Sequence, residues 1–253
     1  MAASSRPGAP CASAGVAHLD VTRRPRIGVF SGGDELAEPG GVASCDQIFE
    51  AGSFAICGLI DHWGGQARRL PIVRDSAVAV AEAAASAQRH ADLLVIIGGA
   101  SVGPHDHARS ALRGLGVEIA FDKIAVRPGK PTWFGVSPAG PVLGLPGNPA
   151  SAIMCARLLL RPLVEKMLAR NAADAAQQRV SLLMAPLGAG LPGNGARESY
   201  LRGHLDERGV LHQFDDQDSS LLSVFAKTNT LIVRPANAAA ACAGDIVGCL
   251  SFP

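Results

Sequence analysis

The chain has 253 residues, 48% of them hydrophobic and 18% charged, with a formal net charge of +1. This size and texture suit one or two packed domains and exclude a disordered polymer. Near-neutrality leaves no long-range field for nucleic acid or an anionic membrane surface, so neither is expected as a partner, and any anion must be held by local groups.

Ahead of Arg23 lies a Ser/Ala/Pro/Gly stretch without the apolar centre of a secretory signal, so 1–22 reads as a flexible leader or linker remnant. From Arg26, short apolar runs alternate with helical segments, the pattern of a parallel sheet with helices on both faces. Arg26 to Ser31 reads as a first strand, and Gln47 to Trp63 as a helix stopped by Gly64-Gly65. Ala67 to Val73 is a weaker strand, and the Ala-rich run from Ser76 to Arg89 a helix. Asp92 to Ile97 is unbroken and β-branched, as a strand buried on both faces should be. A helix from about His107 to Leu115 follows, then a strand near Ile119 to Val126, a proline-bounded turn, and short strands around Trp133 and Val142. Pro149 to Leu168 reads as a long helix with Asn148 as N-cap and Pro149 at the first helical position. From Gln178 the texture changes to short strands separated by Gly, Asn and Asp turns, which indicates a small β domain. The chain therefore divides into an α/β domain over 23–172 and a β domain over 173–253. Its six cysteines are scattered, with no C-x-x-C pair, and read as reduced thiols of a cytoplasmic protein. Its apolar runs fall far below the roughly 18 residues of a membrane span.

Four loops carry chemistry. Ser31-Gly32-Gly33-Asp34 follows the first strand, at the sheet edge where ligands collect and where glycine lets N–H groups approach an anion, although a tight turn with solvated acids explains the segment equally well. Gly98-Gly99-Ala100-Ser101-Val102-Gly103 follows the most buried strand and forms a phosphate-sized cradle, with Asp106 placed to carry a cation to the same phosphate. Neither loop is a dinucleotide or Walker fingerprint, so a nucleotide-dependent enzyme of unrelated class is poorly supported. On a strand, Lys123, Ala125 and Arg127 share a face and can point two cations at one anion, while Lys130 is held between prolines; the alternative is an exposed edge with solvated charges. Gly144-Leu145-Pro146-Gly147-Asn148-Pro149 leads into the long helix, whose free N–H groups offer a second anion site, although a simple cap explains Asn148 equally well.

In this order, SGGDEL, QIFEAGS, GGASVGPHD, KIAVRPGKP and GLPGNPAS resemble the molybdopterin molybdenumtransferases, the family that includes the gephyrin E domain. The resemblance runs from about Arg23 to the C-terminus and implies a three-layer α/β molybdopterin-binding domain followed by a small β-barrel domain. It implies an enzyme of molybdenum cofactor biosynthesis that takes adenylylated molybdopterin, hydrolyses the adenylate with Mg²⁺ and inserts molybdate. Carried over, Asp75 and Asp106 match the acids that hold the metal. Lys123, Arg127, Arg202 and Ser219 match residues around the anion and molybdate site. Ser31, Asp34, Gly98, Gly99, Ser101, Pro146 and Asn148 match the pterin-phosphate loops. Asp75 is also a plausible helix cap, Arg202 a solvated strand residue and Ser219 a turn residue.

The chain departs from the family pattern where SGGDEL stands for STGDEL, where Glu50-Ala51-Gly52 stands for an Asp-Ser-Asn set and removes hydrogen-bond partners, and where Arg127 replaces a lysine. The relatives also carry two N-terminal domains that help form a dimer and its cleft. The expected partners are accordingly adenylylated molybdopterin, molybdate, and either a second copy of the chain or a chain that supplies those domains. The alternative function is a catalytically weak carrier or sensor of molybdopterin.

Overall fold

The computed structural model describes residues 11–18, 20–99, 107–168, 182–218 and 222–252. The first unit opens with β1 (Arg26–Gly32), β2 (Leu36–Ala37), β3 (Ile48–Phe49), helix α1 (Gly52–His62), β4 (Gln66–Arg69) and α2 (Ala77–Gln88). It continues with β5 (Leu93–Gly98), α3 (His107–Gly114), β6 (Glu118–Phe121), β7 (Val126–Arg127), β8 (Trp133–Ser137) and β9 (Gly140–Leu145). A long helix closes it: α4 (Pro149–Cys155), a π-helical turn (Ala156–Leu160) and α5 (Arg161–Met167). The second unit holds β10 (Leu183–Pro186), β11 (Glu198–Leu205), β12 (Leu211–Gln213), a 3₁₀ turn (Leu222–Lys227), β13 (Thr230–Arg234) and β14 (Ile246–Ser251).

The first sheet has the order β4-β1-β5-β9-β8-β6. Its β4, β1, β5 and β9 are mutually parallel, while β8 runs antiparallel to both β9 and β6. Alternation of side chains builds the three layers. Ile27, Val29, Leu93, Val95 and Ile97 pack with Ile56 and Ile60 of α1 and Ile153 and Met154 of α4. Phe30, Leu94 and Ile96 face the other way, onto Val80, Ala84 and Ala87 of α2 and Leu112 of α3. Small alanines let α2 lie close to the sheet, and Ser76 caps it by accepting the Ala79 N–H at 3.2 Å.

Two expectations need correction. The helix expected from Gln47 begins at Gly52, because 47–50 is drawn out alongside β2: the Ile48 N–H donates to Glu35 O and the Glu50 N–H to Ala37 O. The strand expected through Val126 ends at Phe121. Val126 and Arg127 instead pair in parallel with Glu198 and Ser199 of the second unit, so Lys123 and Arg127 do not share one strand face. The long helix is as expected, with Asn148 accepting the Ser151 N–H at 3.2 Å and Pro149 in the first turn. Its π turn lies just ahead of Pro162, which has no N–H to return to Leu158 and disturbs the α-helical ladder there.

The second sheet runs β10-β14-β13-β11-β12, antiparallel throughout, with β7 added alongside β11. A bridge from Leu187 to Leu211 joins the chain just past β10 to β12, closing the sheet into a small barrel around Leu187, Leu211, Ile232, Val247 and Cys249.

Candidate functional site

The register brings the loops to one rim. Gly32 pairs with Gly98, and Ile97 with Leu145, so β1, β5 and β9 end side by side and release Gly33, Gly99 and Pro146 at the carboxyl edge. These loops touch: a methyl group on Gly98 would lie 2.6 Å from Gly32 O, and one on Gly147 would lie 3.3 Å from the Gly98 Cα. Gly98 and Gly99 have φ of +80° and +64°, which only glycine adopts freely. Because β6 and β9 both run antiparallel to β8, β6 also ends on this edge, and Lys123 leaves from it. Lys130 enters the same edge just before β8, whose Trp133 pairs with Gly144.

Two acids stand beside the first loop. The Gly33 N–H donates to Val73 O at 3.1 Å, and Asp34 Oδ1 accepts the Asp75 N–H at 3.3 Å, so Asp34 and Asp75 are neighbours at the rim. Ser76, not Asp75, caps α2, which leaves the exposed Asp75 carboxylate to other uses. Carboxylate oxygens are the donors a hard divalent cation takes. Among the described residues no group of three or more His, Cys, Asp or Glu gathers. Asp106, Ser101, Gly103 and Ser219 lie outside the described residues.

The cations differ in setting. Lys123 is exposed, with Nζ 3.9 Å from Asp122, and Lys130 is exposed as well. Gly129 between them is required: at φ +113°, a Cβ there would fall 2.2 Å from Cys155 Sγ. Arg127 lines a groove between the two units with Pro128, Asn194, Ser199, Gln217 and Asp218. Arg202 is buried rather than solvated, at 5% exposure. Gln217 clamps its backbone by accepting the Arg202 N–H and donating to Arg202 O, both at 2.9 Å, while its Nη2 reaches Asp218 O at 2.9 Å. Burial lowers its pKa, with the Asp216 and Asp218 charges opposing. Arg202, Tyr200 and Gln217 share a cleft with Pro128 and with Ala150 and Met154 of α4. A guanidinium of the second unit therefore sits against the helix that follows Asn148, an arrangement suited to an anion held between the units.

Sequence reasoning missed Glu50, which it treated as a loss of hydrogen-bond partners. This carboxylate is 3% exposed and sits behind the first loop. It accepts from Ser31 Oγ at 2.8 Å, the Ser53 N–H at 2.7 Å, Ser53 Oγ at 2.5 Å and, more loosely, Arg69 Nη2 at 3.4 Å. Burial alone would raise its pKa, but the hydrogen bonds from Ser53, Ser31 and Arg69 outweigh burial and hold it below the ordinary glutamate value. The available signal was an acidic residue three places before a serine at a helix start, where its carboxylate takes the orphan N–H of the first turn.

Residues 28–166 match the family described as "Probable molybdopterin binding domain", and residues 184–252 match "MoeA C-terminal region (domain IV)". The chain is 30% identical to a molybdopterin molybdenumtransferase of Nostoc sp. over 244 residues, 93% of this chain and 55% of that protein. It is 31% identical to the Haemophilus influenzae protein of the same name over 240 residues, 93% of this chain and 58% of that protein. The crystal structure of a molybdopterin biosynthesis MoeA protein from Pyrococcus horikosii superposes with a TM-score of 0.82 at 27% identity, covering 97% of this chain and 59% of that one. The chain thus spans somewhat over half the length of these relatives. A sheet edge ringed by glycine loops, a barrel packed on the long helix that leaves this edge and these matches over both units give one conclusion: the chain belongs to the molybdopterin-binding-domain family, joined to a MoeA-type C-terminal region.

Proposed function

We propose that this chain binds adenylylated molybdopterin along the carboxyl rim of its sheet and acts in the molybdate insertion step of molybdenum cofactor biosynthesis, as a molybdopterin molybdotransferase. The observation that carries the reading is the meeting of three glycine loops, at Gly32, Gly98 and Gly147, the last leading into the helix whose Ala150 and Met154 share a cleft with a buried arginine of the second unit. Backbone N–H groups and fixed cations suit the phosphates, and Arg202 with Lys123, Arg127 and Ser219 suits the tetrahedral oxyanion. Asp75 and Asp106 would hold Mg²⁺, which supplies charge neutralisation and polarisation at the phosphoanhydride. Action in the cytoplasm belongs to the same proposal, supported by the free thiols at all six cysteines; among the described residues no helix is long and apolar enough to cross a membrane.

The test is to supply the purified chain with adenylylated molybdopterin, Mg²⁺ and molybdate and to follow AMP release. Turnover that falls about 10²-fold or more in Asp75→Asn with binding retained supports the assignment. Tight binding without turnover in the unmodified chain would favour the carrier role, and no binding would reject both.

A further inference from the structure

Ser31 has one hydroxyl proton, and its surroundings commit it. Glu50 Oε1 lies 2.8 Å away, and an ionised carboxylate only accepts, so the hydroxyl donates to Glu50. The other members of the network are equally fixed. Arg69 Nε donates to Ser53 Oγ at 2.7 Å, which turns the Ser53 proton onto Glu50 Oε2. Arg69 is itself anchored by Glu38 at 2.7 Å and lies 4.2 Å from the centre of the Phe54 ring. Glu50 thereby has acceptors on both oxygens filled, and what Ser31 Oγ still offers a ligand is lone pairs.

The adjoining cleft is lined by Ser31, Gly32, Glu50, Ile97 and Gly147 and has a volume of about 50 Å³. That space takes the edge of a ring or a few waters, not a whole heterocycle. A phosphate presents acceptors and negative charge, so it meets the wrong partner at Ser31 and repulsion from the carboxylate behind it. An amino group beside a ring N–H presents donors and is the complement.

We propose that Ser31, oriented by Glu50, forms an acceptor-only subsite that reads the amino and ring N–H edge of the pterin and turns phosphate away from the first loop. Glu50 is then a positioning residue acting through Ser31, and the phosphate end of the ligand lies toward Lys123, Arg127 and Lys130. This inference rests on the molybdopterin reading and narrows the role of Ser31, which the family resemblance gave only as part of the pterin-phosphate loops, to the pterin edge.

The experiment titrates the full chain with two fluorescent probes, pterin-6-carboxylate and lumazine-6-carboxylate, which differ in that a carbonyl replaces the 2-amino group. The unmodified chain is expected to prefer the pterin by about tenfold, since a site built for an N–H rejects the analogue lacking it. Ser31→Ala should bring the two affinities within about twofold. Glu50→Gln can donate to Ser31 Oγ and turn the hydroxyl proton toward the cleft, so its preference should vanish or invert, while Glu50→Asp should restore part of it. Equal affinities in the unmodified chain, or a preference unchanged in folded Glu50→Gln, would overturn the subsite. Should Glu50→Gln not fold, judged by circular dichroism, Ser31→Ala decides alone because it removes no buried charge. Binding of adenylylated molybdopterin without a pterin preference rejects only the subsite, whereas failure to bind that ligand at all removes the molybdopterin reading and the subsite with it.

Discussion

At φ +80°, with the Gly32 carbonyl 2.6 Å from where a methyl group would stand, Gly98 tolerates no side chain. Gly98→Ala combines left-handed backbone strain with a clash against a backbone atom that has nowhere to go, a cost of about 2 to 4 kcal/mol. Both the denaturant midpoint and pterin affinity should fall, and a variant with unchanged midpoint would show that the loops do not touch. Asp92, at the opposite edge, is a pH-dependent tie. The Arg23 guanidinium donates to both its oxygens at 2.6 Å and the Arg26 N–H at 2.7 Å, and these bonds, Arg23 foremost, hold its pKa down from 3.8 to about 2 against burial. A depressed carboxyl stabilises the fold above its unfolded pKa, and that stabilisation disappears as pH falls from about 4 through about 2. Asp92→Asn should lose about 1 kcal/mol at neutral pH, with solvent screening counted, and its melting temperature should fall less steeply than the parent's on acidification. Parallel acid profiles would remove Asp92 from the account. The glycines and the Asn148 cap were legible in sequence because each acts on its own backbone. Of Glu50 only the local bond to Ser53 could be read there, since its partners Ser31 and Arg69 come from other strands and meet it only after the sheet has formed.

Among the elements, those with strong local signals fall where sequence pattern places them: β1, α2, β5 and the helix after Asn148. The misjudged ones had tertiary competitors. Residues 47–50 have helix-compatible side chains, yet their N–H groups are taken by Glu35 and Ala37, and β7 is pulled from the first sheet by the open edge of β11. The cap on the long helix separates stability from binding. Asn148→Ala removes the acceptor for the Ser151 N–H and should cost about 1 kcal/mol in chemical denaturation. Asn148→Asp keeps an acceptor and should recover that loss, while its negative charge at the rim weakens anion binding. Equal stability of the parent and the alanine variant would show that another group satisfies the helix start.

Over the whole molecule, the two units seen in sequence texture share one core. On β13, Leu231 and Val233 point into the cluster containing Ile153, Cys155 and Leu160, whereas Ile232 between them points into the barrel. On β14, Leu250 and Cys249 divide in the same way. No sequence pattern announces this, because an unbroken apolar run such as Leu231-Ile232-Val233 states that both faces of the strand are buried and not what buries them. Physically, the barrel cannot leave without exposing fully buried leucines, so the described units should unfold together. The chain carries its own reporters: Trp63 and Trp133 in the first unit, and its single tyrosine, Tyr200, in the second. Tryptophan fluorescence and the near-ultraviolet tyrosine signal should give coincident denaturation curves. Leu231→Ala, which opens a cavity where the two units meet, should move both curves by the same amount, about 2 to 4 kcal/mol. Two separated transitions, or a shift confined to the tyrosine signal, would mean that the units fold independently and that the Arg202 cleft is an opening between loosely joined bodies rather than a fixed wall of the site.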